Sequence, residues 1–527
     1  LLIIPAKTLG IERTLEELKI TLDIKEEAIE DIKQRLDSKN LTYESLVIVE
    51  NLTQEQLSKY IVERSKWPST SVKAQLMRFN IYGHLFSHVI GYMGPVSNEE
   101  MQDSNNFKYP LRYRIGKTGV EKFYEEEMRG SIGYKTIEVD VHGNELRELD
   151  RVFPERAKDI YISLDKDLQL LARKELDGRK GAIVALDPNT GLIKALVSSP
   201  DYNPNILNKT ELGNVNEILN EERGPLFNRA ISGNYPPAST IKPFIGLLGL
   251  KEKVINWDST IEDEGFFQIA PEGRKYRGWK EEGHGMVDLN KSIIESSDVF
   301  FYKLATQLTI DSISNFLALF GFGSKTGIDL YAETEGTLPN RKWKIGKIGE
   351  SWFIGDTINL AIGQGYLSCS PLQLVVALSV LATRGKAYKP RVIEKIDNNF
   401  TKTQLLYEVE LANENDWQRL EDSLSSVVSA WNGTAFNLTE FGRVKIAGKT
   451  GTAQIKSLID EELTAKEEYE GIRLEEINRD HALFVGYGPI PNPLLSVVVI
   501  VENGESGSAI AAPIAQRLID FYVESKI

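Results

Sequence analysis

Cysteine is almost missing from these 527 residues: Cys369 stands alone, which excludes an intrachain disulfide and leaves no thiolate set for a structural zinc. Histidine is scarce as well, at His84, His88, His142, His284 and His481. Only His84 and His88 are spaced to share a helical face, and no third ligand in a metal-site pattern lies near them. No apolar run reaches the roughly 18–20 residues needed to cross a bilayer. The longest, Pro371 to Ala382, has the length of a core helix and is broken by Gln373 and Ser379. A surplus of basic charge is lacking too. The formal net charge of −14 argues against nucleic acid as a partner, because affinity for phosphate backbones comes from clustered Lys and Arg.

What is present is the balance of a folded protein, with 41% hydrophobic and 26% charged residues. The chain is too long for one ordinary core, so two or three domains are expected. It opens without methionine at Leu1-Leu2-Ile3-Ile4-Pro5, which reads as a strand entered midway, so an anchoring segment is expected upstream. Residues 12 to 67 carry apolar positions at helical spacing among Glu and Lys and read as a solvated helical appendage. From Val89 to about Arg151 the texture is one of short strands and glycine-punctuated turns.

A boundary is expected at 152–158, dividing residues 1–155 from 156–527. Beyond it Ile160–Leu164 reads as a strand, Asp167–Leu176 as a helix, and Ala182–Leu186 with Leu192–Val197 as a hairpin. The chain returns to β at Arg443–Ala447, Ala482–Tyr487 and Leu495–Glu502 and closes with a helix over Ile510–Tyr522. A domain that starts and ends in strands can pair its termini in one sheet, which makes the fold class α+β and multidomain.

The chemistry concentrates at Tyr235-Pro236-Pro237-Ala238-Ser239-Thr240-Ile241-Lys242-Pro243. The prolines impose an extended entry, and Pro243 is tolerable only in a first helical turn, so Ser239 sits at a helix N-terminus. Lys242 follows one turn along the same face, where a neutral amine can take the hydroxyl proton. Ser163 and Lys166 share the same spacing and read as an ordinary strand end. Ser296-Ser297-Asp298 opens another helical run, and Lys449-Thr450-Gly451-Thr452 follows a strand-like stretch. Lys-Thr-Gly also occurs at Lys117 and Lys325, both read as structural loops, so context separates the three.

In order, Ser-x-x-Lys, Ser-x-Asp and Lys-Thr-Gly resemble the three-part signature of penicillin-binding proteins and serine β-lactamases. Tyr235-Pro236-Pro237, Gly363-Gln364-Gly365, Pro371-Leu372-Gln373, Thr452-Ala453-Gln454 and Ile115 to Lys122 extend the resemblance to the class B enzymes over essentially the whole chain. The stretch Tyr276 to Gly285 is most similar to the elongation-type branch. The resemblance implies a pedestal and head before a transpeptidase domain with a central antiparallel sheet, cross-linking peptidoglycan stem peptides that end in D-Ala-D-Ala and acylated by β-lactams.

Residue by residue, it implies Ser239 as nucleophile, Lys242 as its base and Ser296 as proton relay. It implies Lys449 as positive charge, Thr450 and Thr452 as hydroxyls for the substrate carboxylate around Gly451, and the N–H groups of Ser239 and Thr452 as oxyanion donors. Asp298 stands where many relatives have Asn, and is expected to pair with Lys242. Some elongation-type relatives hold zinc near the middle motif. Here His284 matches, but Gly278 and Ser297 fall where acidic and thiol ligands are wanted, so no metal and no cofactor are expected.

The resemblance further implies a membrane polymerase of the RodA type as partner and a location at the bacterial inner membrane, held by an N-terminal anchor upstream of these residues, with the folded part periplasmic. The rival readings are a β-lactamase and a β-lactam-sensing receptor, and neither class is expected to carry residues 89–151 as a pedestal.

Overall fold

The computed structural model describes residues 1–37, 45–49, 52–74, 77–97, 99–100, 113–131, 133–140, 145–208, 218–411, 413–454 and 479–526. By its contacts the chain forms two compact units. One comprises Leu1–Phe79, Gly130–Arg156 and Asn208–Glu211, the other Asn80–Arg129, Ala157–Leu207 and Leu212–Ile527. The segment 80–129, assigned by the sequence reading to the first domain, therefore packs with the second unit. His142 lies outside the described residues.

The first unit is more than a solvated appendage. Helices Ile11–Leu22, Glu26–Asp37 and Gln54–Glu63 bring Leu15, Leu18, Leu22, Ile29, Ile32 and Tyr60 into a core of their own with Ile3, Ile48 and Trp67. Leu2–Ile3 is indeed a strand, central in a small antiparallel sheet between Leu46–Val47 and Thr70–Ser71. Charged residues such as Glu12, Arg13, Glu26 and Glu30 stay exposed on the outer faces of the first two helices, which is the ordinary amphipathic arrangement. The stretch read as strands and turns also contains two short helices, Gly119–Phe123 and Glu125–Arg129.

The second unit is built on a five-stranded antiparallel sheet. Its strands are β1 (Gly181–Leu186), β2 (Ile193–Ser199), β3 (Ala447–Ala453), β4 (His481–Gly488) and β5 (Leu495–Val501), in spatial order β2-β1-β5-β4-β3. The first and last stretches of the domain pair as Val498 with Val184, so the sheet closes across the length of the chain. Every residue of β1 and β5 is buried, which requires cover on both faces. Helices α1 (Lys166–Leu176), α4 (Pro371–Ala382), α5 (Asn415–Ser429) and α6 (Ala512–Glu524) pack on the sheet. Between α1 and α4 in the chain lie α2 (Lys242–Lys251) and α3 (Asp298–Ala305).

Helix α4 is the long apolar run of the sequence, buried along all its length. It starts where it does because Ser370 and Gln373 form a reciprocal capping box and Pro371 occupies the first turn.

One strand differs from expectation. The sequence placed β character at Arg443–Ala447, before the Lys-Thr-Gly tripeptide, whereas β3 runs through the tripeptide itself. The earlier residues are diverted because the Asp520 carboxylate on α6 accepts the Val444 N–H at 2.9 Å, which takes that donor out of any ladder.

Candidate active site

The turn bearing Ser239 is held from both sides. Tyr235 exchanges backbone hydrogen bonds with Cys369, each 2.9 Å. After the two prolines the chain makes a 3-10 turn, Ala238–Ile241, that runs straight into α2 with Pro243 in its first turn. Ala238 is left-handed at φ 50°, an uncommon conformation for a residue with a side chain, and its N–H donates to the Gly363 carbonyl at 2.9 Å. A Cβ at Gly363 would lie 2.1 Å from the Ala238 oxygen, so that position needs glycine. Ser239 is left partly exposed, while Ala238, Thr240 and Lys242 are buried.

One turn along α2, the Lys242 amine is fully buried and has three acceptors: the Ser296 carbonyl at 2.8 Å, the Ser296 hydroxyl at 3.2 Å and the Asp298 carboxylate at 2.7 Å. Burial pushes this amine below the ordinary lysine range, against the Asp298 charge, which pulls it up. Two of the acceptors can only accept. The Ser296 hydroxyl can also donate, so it is the partner that tolerates a neutral amine with a lone pair. Asp298 opens α3, and its second oxygen accepts the Trp279 backbone N–H at 3.0 Å. Both oxygens thus face donors, which an Asn could not reproduce without setting its NH2 against one of them.

Among the described residues the Lys-Thr-Gly segment is an edge of the sheet, with β3 paired to β4. A Cβ at Gly451 would lie 3.1 Å from the Thr240 methyl and 3.4 Å from the Pro237 carbonyl, so glycine lets the edge close on the turn that carries Ser239. The Thr452 carbonyl accepts from Gln364 Nε2 at 3.3 Å on that edge, and in a strand the N–H of the same residue points the same way. Lys449 is fully buried. Burial first, and then the neighbouring Lys242 charge, drive its amine well below the usual range, with Asp298 opposing. The Thr450 hydroxyl bonds that of Thr434 at 2.8 Å.

Residues 181–520 match the model of the penicillin-binding protein transpeptidase domain, and residues 1–162 that of the penicillin-binding protein dimerisation domain. Peptidoglycan D,D-transpeptidase MrdA of Acinetobacter baumannii is 37% identical, over 98% of this chain and 76% of that protein. The chain belongs to the class B penicillin-binding proteins, in their MrdA, or penicillin-binding protein 2, branch.

Helicobacter pylori penicillin-binding protein 2, solved in complex with MreC, superposes with a TM-score of 0.86 at 28% identity, over 99% of this chain and 94% of that one. A peptidoglycan synthase complex that coordinates polymerization and crosslinking gives 0.73 at 26% identity, over 98% and 85%.

The structure brings together the parts of this class B site from distant stretches. Lys242, Ser296 and Asp298 meet directly, and Gly451 seats against the Ser239 turn. The other two Lys-Thr-Gly tripeptides are elsewhere: Lys117 follows a short strand, Arg114–Gly116, and pairs with Glu100, while Lys325 sits in an irregular loop. Sequence reasoning did not single out Thr434, which touches Thr450, or the backbone of Trp279, which ties Asp298. Thr434 carries no local motif, and Trp279 was quoted only within the stretch Tyr276 to Gly285. Gly363 and Gln364 were quoted only as part of a resemblance, and their work is now physical: one carbonyl holds Ala238, and one amide holds Thr452.

The four described histidines make structural contacts. His84 pairs with Asp201 at 2.9 Å, whereas His88 bonds the Pro225 carbonyl and is pushed by burial to about 4. The two thus face different partners. His481 accepts the Asn503 N–H at 3.1 Å and stacks edge-on against Tyr235. Around His284 the set does not fit zinc. Gly278 has no side chain, Ser297 offers a hydroxyl, and Asp263 already accepts hydrogen bonds from both His284 and Ser297. Elemental analysis after dialysis against a mild chelator should therefore find no stoichiometric zinc, and about one zinc per chain would overturn this.

Proposed function

We propose that this chain is the cross-linking enzyme of cell elongation, a peptidoglycan D,D-transpeptidase working through an ester on Ser239. The observation that carries the assignment of roles is the buried Lys242 amine, one helical turn after Ser239, hydrogen-bonded at once to Ser296 and Asp298. The neutral amine takes the Ser239 proton as Oγ attacks the penultimate D-Ala carbonyl. The N–H groups of Ser239 and Thr452 receive the developing oxyanion. The Ser296 hydroxyl passes a proton to the departing D-Ala amine and is replenished from Lys242.

Substrate binding has its own set. Lys449, whose amine burial lowers well below the ordinary lysine range, faces the substrate carboxylate, which favours its charged form, and Thr450 and Thr452 add hydroxyl donors. The amine of a neighbouring stem peptide then resolves the ester. A polymerase of the RodA type and a scaffold such as MreC are the expected partners, by similarity to the complexes above. The site of action is outside the inner membrane; no helix among the described residues is long and apolar enough to span a bilayer.

The β-lactamase alternative requires a general base for water. The carboxylates beside the middle motif are engaged: Asp298 with Lys242 and Trp279, Glu295 with the Asn432 amide at 2.5 Å, Asp263 with Ser297. Nitrocefin is therefore expected to give one stoichiometric burst and then near silence. A steady turnover above about one per second, in the ordinary enzyme range, would reassign the protein as a β-lactamase.

A further inference from the structure

Ser296 is the second left-handed residue of the site, at φ 58° without the excuse of being glycine. Such a conformation persists only where its surroundings over-determine it. On one side Asp298 is tied to Lys242 and to Trp279. On the other side Ser297 is buried and its hydroxyl does two things. It donates to Asp263 Oδ2 at 2.6 Å, and its lone pair accepts the Phe300 N–H at 3.3 Å, capping α3.

Asp263 is in turn fixed by three donors. His284 Nδ1 reaches Oδ2 at 2.7 Å and the Gly265 N–H reaches Oδ1 at 2.9 Å, in addition to the Ser297 hydroxyl. Its side chain is 1% exposed and that of His284 3%. Because Asp263 can only accept, it dictates where the Ser297 proton points, and so leaves the cap lone pair aimed at α3.

We propose that Asp263, locked by His284, is a metal-free positioning residue that holds Ser297 and thereby keeps Ser296 in the left-handed conformation that sets its hydroxyl beside Lys242. The inference rests on the assignment of Ser296 and Lys242 to the acylating set. It explains why the incomplete metal set around His284 is nevertheless buried and hydrogen-bonded at Asp263, with three donors on that carboxylate while His284 Nε2 has no partner among the described residues: the middle motif needs the anchor either way.

The test compares acylation rate with a fluorescent penicillin, melting temperature and zinc dependence in the full chain. Ser297→Ala and Asp263→Asn should each slow acylation about tenfold, the scale set by releasing one strained residue. The double variant should be no slower than the worse single one, because the two changes break the same link. His284→Asn, whose amide replaces the Nδ1 donor but offers no second ring nitrogen, should recover most of the rate lost in His284→Ala, and neither chelator nor added zinc should change the wild-type rate.

Full-rate acylation in folded Ser297→Ala, independent additive losses, or a chelator-sensitive wild type would each overturn the proposal. Should Asp263→Asn fail to fold, Ser297→Ala and the His284 pair decide alone. A wild type that is not acylated at Ser239 would overturn the underlying assignment, and this inference with it, and is told apart because the wild type itself then fails.

Discussion

Ser239→Ala is expected to abolish covalent labelling by a fluorescent penicillin, while Ser163→Ala leaves labelling intact. Both serines precede a lysine by three positions, so the sequence spacing alone would treat them alike. Their surroundings do not. The Ser163 hydroxyl is buried and donates to the Ile193 carbonyl at 2.6 Å, and Lys166 turns away as an exposed residue at the start of α1. Removing that hydroxyl costs stability, on the order of 1–2 kcal/mol for one buried hydrogen bond, and leaves the chemistry untouched. Ser239 has the buried Lys242 beside it and the edge strand closed against its turn. Mass spectrometry of the intact protein after benzylpenicillin, with peptide mapping, checks both variants; an adduct that persists on Ser239→Ala would remove the nucleophile assignment.

Lys242→Arg is expected to lower the acylation rate by roughly 10²–10⁴-fold, the usual worth of a general base, although the charge and much of the volume remain. A guanidinium does not give up its proton near neutrality, whereas the Lys242 amine is lowered by burial. The sign of the pH dependence follows. The base is active when deprotonated, so the wild-type rate should rise with pH through the folded Lys242 value, in a window below the ordinary 10.5. Asp298 favours the charged amine, so removing its charge in Asp298→Asn moves that rising limb to still lower pH. The plateau should fall at the same time, because the amide cannot satisfy both Lys242 and the Trp279 N–H. Acylation measured from pH 5 to 10 separates the two effects. A limb that moves to higher pH in Asp298→Asn would show that the pair works in the opposite sense.

Much of this site is legible in the chain because its central parts are local. Ser239 and Lys242 are one helical turn apart, and proline chemistry around them forces the helix start. Ser297 and Asp298 cap and open α3 as their side chains favour. Helix α4 appears in the sequence at its observed bounds, because a capping box, a first-turn proline and a largely apolar run all agree. The strand before Lys449 was misplaced for the opposite reason. Its residues have β character, but a carboxylate more than seventy residues later takes the donor they would need. The helical head was mistaken for a solvated appendage because its core is assembled from single buried positions on three short helices and a strand.

By itself the sequence determined the α+β, multidomain class and the order of the three motifs, and its single cysteine excludes an intrachain disulfide; Ser239 and Lys242 stand as the expected nucleophile and base through the resemblance those motifs carry. Of the three Lys-Thr-Gly tripeptides, context in the chain already set Lys449 apart, and the tertiary structure adds how it closes on the Ser239 turn, through Gly451 against Thr240 and Pro237. It also decided that residues 80–129 pack with the second unit, and that Asp298 faces two donors at once. It alone disclosed Asp263 as an anchor, 34 residues from the Ser297 hydroxyl it holds. Those properties depend on which backbone N–H and which hydroxyl arrive beside a given carboxylate, and long-range pairing of that kind leaves no periodicity in the chain.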